Sequence, residues 1–118
     1  DTKTGGWFMV VDKGDNPLNF VDPSGTAMFV YSIQRGVELG LLKAKEYTPV
    51  AYRGYQSLFP FIQVNDRGLL DVIGACDGVV IKKNFVEYVT VPKILNAKEA
   101  VAGILCAAVI METEQLKK

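Results

Sequence analysis

The segment AVAGILCAAVIM, from Ala100 to Met111, places the strongest limit on how this chain can fold. Its twelve uncharged apolar residues leave no polar face at helical spacing, which is typical of a helix buried on several sides. A run of this length is well short of the ~20 residues that cross a bilayer. The segment therefore predicts a buried helix rather than a membrane span, and this helix needs neighbours around much of its circumference.

The two ends of this helix are also indicated by the sequence. The side chain of Asn96 can cap the backbone at the start, and Glu99 can reach back from three residues later. This is the spacing of a capping box, with Asn in place of Ser or Thr. We therefore expect the last helix to start at Asn96 and to continue to about Gln115.

Two further helices are predicted before it. Apolar residues at spacings of three and four predict a first helix over residues 24–40. A second is predicted to start at Thr48, whose hydroxyl can cap it while Pro49 occupies the first helical position. Its apolar side extends to Ile62, and Pro60 is expected to kink it or to rebuild its last turn.

Short extended segments are predicted at two places. Residues 69–76 and 85–92 have strand-like composition or alternation, and together they predict a small β ribbon. Residues 5–15, with their Val, Phe and Trp content, predict a short strand or an extended arm ahead of the first helix. The fold class predicted from these patterns is mainly α with a short ribbon.

The chain has 118 residues, which is the length of one domain, so we treat residues 1–118 as a single unit. Three helices and a ribbon can cover one side of the last helix but hardly its whole circumference. We therefore expect the rest of its apolar surface to contact further helices of a longer chain or a second copy. The sequence begins at Asp1, without a Met or a signal peptide, and we expect it to be a piece of a longer protein.

The composition excludes several kinds of chemistry. Thirteen basic and thirteen acidic residues cancel, and no long basic cluster occurs, so nucleic acid is not an expected partner. The absence of His excludes Ser-His and Cys-His nucleophiles, and Cys76 and Cys106 have no ligand-spaced partners for zinc. No metal or cofactor is therefore expected, and chemistry would rely on carboxylates, Tyr or Lys.

Five segments carry a resemblance to a known enzyme family. In chain order they are TGGWFMVVDKGD, PSGTAMFVYSIQRGVELG, TPVAYRGYQSL, VNDRGLLDVIGACDG and VPKILNAKEAVAGILCAAVIME. In order and spacing they resemble the C-terminal third of bacterial unsaturated glucuronyl and rhamnogalacturonyl hydrolases, glycoside hydrolase families 88 and 105. The Ser-Gly-Thr-Ala-Met-Phe-x-Tyr segment followed by Arg-Gly is the most specific element.

The resemblance implies an incomplete part of a six-hairpin α/α toroid, in which an inner ring of helices is surrounded by an outer ring. It implies removal of the unsaturated uronic acid that polysaccharide lyases leave on pectin-type or glycosaminoglycan-type oligosaccharides. The implied mechanism is hydration of the enol-ether double bond by an Asp acting as general acid and base, without a metal. The catalytic Asp residues of the family precede the matched part, so we expect this piece by itself to be inactive.

Four residues are predicted to bind substrate within this framework. Asp22, Ser24 and Thr26 lie at the start of the first helix, where backbone N–H groups and the helix dipole favour an anion such as a uronate. Trp7, the single tryptophan, could stack on a sugar ring. The alternative is structural: Asp22 or Ser24 caps the helix, and Trp7 belongs to the core.

Two other features have a functional and a structural interpretation. Cys76 lies in GACDG, where burial in a tight turn is favoured over a nucleophilic role. Asp71 and Asp77 could form a carboxylate pair, but solvated surface positions are favoured for both.

A second kind of function is also compatible with the sequence. The chain could be a non-catalytic helical scaffold or oligomerisation module, in which case no catalytic segment would precede Asp1. The partners expected from the two interpretations are an unsaturated oligosaccharide for the hydrolase, and self-association or packing against the missing N-terminal part for the piece itself. The resemblance is compatible with a bacterial protein of the cytoplasm or the periplasm.

Overall fold

The computed structural model describes residues 1–117 and is mainly helical. It contains four α-helices: α1 (Pro23–Glu38), α2 (Ala44–Gln56), α3 (Phe85–Val89) and α4 (Lys98–Leu116). Helix α1 is central, because it packs against α2 on one side and against α4 on the other, while α2 and α4 have little contact with each other. No helix in this part of the chain is long and apolar enough to span a membrane.

The predicted first helix is confirmed to within two residues at its C-terminal end. Asp22 is its N-cap, and Pro23 occupies the first helical position, where a missing N–H costs nothing. The helix ends at Glu38, and Gly40 follows with a φ of 72°, a left-handed conformation that glycine adopts without a Cβ penalty.

The predicted start of the second helix is wrong. Helix α2 begins at Ala44, and Lys43 is its N-cap without a side-chain hydrogen bond. Pro49 lies inside the helix, where its ring removes a single backbone hydrogen bond near the N-terminal end. Pro60 does not kink this helix, because the helix has already ended at Gln56 and Pro60 lies in a separate 3₁₀ turn.

Two small antiparallel sheets replace the single predicted ribbon. Strand β1 (Ile62–Val64) pairs with β2 (Leu70–Val72), and β3 (Ala75–Cys76) pairs with β4 (Lys93–Ile94). The predicted strand over residues 69–76 is divided at Gly74, whose φ of 84° turns the chain from one sheet to the other.

The predicted strand over residues 85–92 is also wrong, since residues Phe85–Val89 form α3. Asn84 caps this helix by accepting a hydrogen bond from the Glu87 N–H at 3.0 Å. A side-chain cap of this kind supports a helical turn even where the apolar pattern alternates. The arm predicted over residues 5–15 makes one isolated β-bridge, between Phe8 and Val21.

Asn96 does not cap the last helix, contrary to the prediction. It has a φ of 54°, and Ala97 takes the N-cap position without a side-chain hydrogen bond. The Asn96 side chain instead accepts from the Val72 N–H at 2.7 Å and donates to the Asp71 carboxylate at 2.9 Å. Asn96 thus ties the start of α4 to β2, and the predicted capping box with Glu99 is absent.

One side of α4 is buried and the other is open. The buried side contributes small and branched residues to the core, among them Ala100, Ile104 and Ala107. On the opposite side, Leu105 is 61% exposed and Val109 is 69% exposed. The chain therefore leaves an apolar side of its last helix uncovered within the described residues, as the composition of this helix predicts.

The core also contains an amide oxygen without a partner. Gln34 on α1 is 1% exposed, and its Oε1 has no hydrogen-bond partner in the described part of the chain. Leaving such an acceptor buried costs on the order of 1–3 kcal/mol. Gln34 therefore lowers the stability of the core relative to an apolar residue of similar volume at this position.

We predict that Gln34→Met raises the free energy of unfolding by about 1 kcal/mol, because Met fills a similar volume without a buried polar atom. Urea denaturation followed by circular dichroism measures the change. Gln56→Met is the matched control at an exposed helix end and should alter stability by less than about 0.5 kcal/mol. A Gln34→Met protein less stable than the parent would contradict the prediction.

Candidate functional site

A pocket of about 210 Å³ lies where the N-terminal ends of α1 and α4 meet strand β3. Its lining combines two carboxylates, a hydroxyl and a thiol with apolar side chains. The residues that line it are Met9, Asp22, Ser24, Met28, Cys76, Gly78, Val79 and Glu99. Two of the four predicted substrate-binding residues, Asp22 and Ser24, thus share one concave site.

Asp22 is held rigidly at the start of α1. Its Oδ1 accepts from the Ser24 N–H at 3.1 Å, and its Oδ2 accepts from the Gly25 N–H at 3.0 Å. The Ser24 hydroxyl lies 2.9 Å from each carboxylate oxygen and donates to this group. The Asp22 backbone N–H donates in turn to the Trp7 carbonyl at 2.9 Å. The structural interpretation of Asp22 as an N-cap is therefore correct.

This cap changes what the helix end can bind. The N–H groups of Ser24 and Gly25 donate to the Asp22 side chain, and the N–H of Thr26 donates to the Asp22 carbonyl at 3.0 Å. A ligand carboxylate at this point would meet the Asp22 carboxylate instead of free N–H groups. The geometry thus favours a group that donates hydrogen bonds, such as a hydroxyl, over an anion.

Glu99 also lines the pocket, although the sequence predicted it only as a capping-box partner of Asn96. It lies in the first turn of α4, and its Oε2 is buried without a hydrogen-bond partner among residues 1–117. An acidic residue in the first turn of a helix is an ordinary sequence pattern. Glu99 lines the same pocket as Asp22 because the start of α4 lies beside the start of α1. No local sequence pattern indicates this arrangement of the two helices.

Cys76 is placed in the pocket lining but is not set up as a nucleophile. Its Sγ donates to the Val91 carbonyl at 3.5 Å. Burial raises the pKa of the thiol and the nearby Asp22 carboxylate raises it further, while the Lys93 ammonium acts in the opposite direction. The neutral thiol is therefore favoured, which agrees with the structural interpretation of this residue.

Trp7 lies outside this pocket. Its ring stacks on Phe29 with centroids 5.1 Å apart and packs against the backbone of Gly54, where a Cβ would come within 2.8 Å of the indole. The backbone N–H of Trp7 donates to the Thr26 hydroxyl oxygen at 2.9 Å. Trp7 is partly buried and packs against the edge of the core.

Thr26 is 0% exposed, so it has no surface that a substrate could touch. Its hydroxyl joins the chain before α1 to the helix itself.

Asp71 and Asp77, the possible carboxylate pair, lie in different surroundings. The Asp71 carboxylate accepts from Asn96, and Asp77 is exposed just after β3. Neither residue lines the pocket that contains Asp22.

The arrangement of helices matches that of a known glycoside hydrolase. A solved structure of a glycoside hydrolase from family 105 of C. acetobutylicum, an α/α toroid protein, superposes with a TM-score of 0.86 at 27% sequence identity. The alignment covers 96% of this chain and 33% of that chain. The fold is therefore that of a part of an α/α toroid.

The family itself follows from the sequence profile. Glycosyl Hydrolase Family 88 matches residues 1–115, and the chain belongs to this family. Two curated proteins are each 32% identical over 62 residues: Protein Atu3128 of Agrobacterium fabrum and the 24.9 kDa protein in picA locus of Rhizobium radiobacter. Each alignment covers 52% of this chain and 27% of the relative, so the chain spans about a quarter of their length.

We predict that Asp22→Ala lowers the free energy of unfolding by about 1 kcal/mol, because it removes the acceptor for two backbone N–H groups. Chemical denaturation measures the loss. Asp22→Asn keeps a capping oxygen and should retain most of the stability. Equal stability of the Asp22→Ala protein and the parent would contradict the capping geometry.

Proposed function

We propose that this chain is the C-terminal third of an unsaturated uronyl hydrolase and that the pocket at the start of α1 contacts the sugar. The observation that carries the proposal is the shared pocket of Asp22, Ser24 and Glu99 in a chain that matches family 88 over residues 1–115. The substrate is an unsaturated uronide at the non-reducing end of a lyase-generated oligosaccharide.

The pocket receives the hydroxyl-bearing part of the sugar. Asp22 and Glu99 supply carboxylate oxygens, and a sugar hydroxyl donates to such an acceptor through a charge-assisted hydrogen bond. The buried, unpartnered Oε2 of Glu99 gains most from such a donor. The uronate carboxylate then lies elsewhere in the complete site, away from these two negative charges.

The Asp22 carboxylate is not proposed as the proton donor. Each of its oxygens accepts from a backbone N–H, and the Ser24 hydroxyl donates its one hydrogen between them, so the group is committed to the helix cap. In the proposed reaction an Asp outside these 118 residues protonates the vinyl carbon and activates water for addition to the double bond. The hemiketal formed by hydration then collapses and releases the uronic acid from its aglycone.

We predict that the 118-residue chain by itself leaves the ultraviolet absorbance of an unsaturated disaccharide unchanged. A polypeptide that joins it to the remaining two-thirds of a toroid should remove this absorbance as the double bond is hydrated. One such polypeptide is a chimera in which the chain replaces the matching third of the C. acetobutylicum hydrolase. Turnover by the isolated chain would contradict the proposal.

The same chimera tests the pocket residues. Glu99→Gln weakens acceptance from a sugar hydroxyl, and Ser24→Ala loosens the Asp22 carboxylate, so both should raise KM by about tenfold. Asp77→Asn is the control, because this exposed carboxylate lies outside the pocket. Unchanged KM in both pocket variants would show that the sugar does not enter here.

A further inference from the structure

Asn96 connects the start of α4 to strand β2 through both its backbone and its side chain. Its backbone N–H donates to the Val72 carbonyl at 2.8 Å, and its side-chain Oδ1 accepts from the Val72 N–H at 2.7 Å. Its Nδ2 donates to the Asp71 carboxylate at 2.9 Å, which fixes the direction in which the amide faces. Two consecutive residues of β2 thus hold Asn96 in place.

The backbone conformation of Asn96 depends on these contacts. Among residues 1–117 it is the one non-glycine residue with a positive φ, which is 54°. A side chain with a Cβ adopts this left-handed conformation at a cost, and it persists where the surrounding contacts enforce it. The hydrogen bonds to β2 therefore keep the turn from β4 into α4 in a single conformation.

The first turn of α4 has no side-chain cap of its own. Ala97 is the N-cap residue and provides no side-chain oxygen, whereas Asp22 provides one for α1. Helix ends without a cap fray easily, so the segment before the helix has to hold its first turn. Glu99 lies in this turn, and its Oε2 has no hydrogen-bond partner within residues 1–117. The position of the Glu99 carboxylate in the pocket thus follows from the backbone that Asn96 anchors three residues earlier.

We propose that Asn96 is a positioning residue for the pocket that Asp22 and Glu99 share. By anchoring the start of α4 to β2, it places the Glu99 carboxylate where a sugar hydroxyl can donate to it. Asn96 does not line this pocket, so its effect on the sugar passes through Glu99. Asp71, which orients the Asn96 amide, contributes to the same positioning. The inference rests on the proposed function, in which the pocket contacts the sugar.

Steady-state kinetics of the chimera described above test the proposal. We expect Asn96→Gly to raise KM by about fivefold and to leave kcat within about twofold of the parent value. Gly adopts the positive φ without a Cβ penalty, but it removes both side-chain hydrogen bonds to β2.

Asn65→Gly is the matched control. The Asn65 side chain also makes two hydrogen bonds, from the N–H groups of Arg67 and Leu69, but it lies in the β1–β2 turn and does not line the pocket. The Asn65→Gly chimera should keep the parent KM.

A double-variant cycle separates positioning from a general loss of stability. If Asn96 acts through Glu99, adding Asn96→Gly to Glu99→Gln should raise KM by less than about twofold over the Glu99→Gln chimera. Independent effects would multiply to a rise of about fiftyfold over the parent, and this result overturns the proposal. An Asn96→Gly chimera with lower kcat and an unchanged KM also overturns it, because a smaller folded fraction gives this pattern.

The pocket variants distinguish this inference from the proposed function. An unchanged KM in both Glu99→Gln and Ser24→Ala overturns the proposed function and the inference with it. A raised KM in Ser24→Ala beside an unchanged KM in Glu99→Gln or in Asn96→Gly overturns the inference alone.

Circular dichroism verifies that each chimera is folded. If the Asn96→Gly chimera does not fold, Asp71→Ala takes its place, because it keeps the contacts with Val72 and releases only the amide of Asn96. Asp71→Ala should raise KM by about threefold with little change in kcat. An unchanged KM in this variant would overturn the proposal.

Discussion

The close contact between α1 and α4 is the constraint on which the rest of the structure depends. At the crossing, a Cβ on Gly103 would come within 3.2 Å of the Ala27 Cβ, and Ala100 and Ala107 are fully buried on the same helix. Small residues on both helices let the backbones approach closely, in the way that ridges fit into grooves. This contact explains why α1 begins with several small residues.

The same contact creates the pocket. Because the two helices lie side by side with their N-terminal ends together, the Asp22 cap of α1 lies beside the first turn of α4 and its Glu99. Strand β3 closes the third side with Cys76, whose neutral thiol fills space. The site is therefore a consequence of helix packing, and its carboxylates come from two segments more than seventy residues apart.

The two sides of α4 have different roles in this arrangement. One side packs on α1 and belongs to the core, and the other exposes Leu105 and Val109. A toroid of helical hairpins consists of units that each leave apolar surface for a neighbour, and this chain covers a third of the family 105 hydrolase that it matches. The open side of the helix is thus consistent with a chain whose family builds rings of helices.

Much of the helical fold could be predicted from the sequence, because local patterns determine it. The first helix, its Asp22 cap and the apolar character of the last helix follow from side-chain chemistry within a few residues. The start of α2 was missed because Lys43 provides no side-chain cap, and α3 was missed because the apolar residues of 85–92 alternate as in a strand although Asn84 caps the helix locally. The role of Asn96 could not be predicted, because its contacts with β2 decide it. Asn96 satisfies the Val72 N–H and adopts a φ of 54° to do so.

The sequence by itself determined the class of fold and the family resemblance, and it predicted additional neighbours for the last helix. Only the tertiary structure decided which predicted site residues are accessible: Asp22 and Ser24 line a pocket, Thr26 is fully buried and Trp7 packs on Phe29. The physical reason is that capping and periodicity act over one or two helical turns. Burial and the meeting of Asp22 with Glu99 depend instead on how distant helices pack.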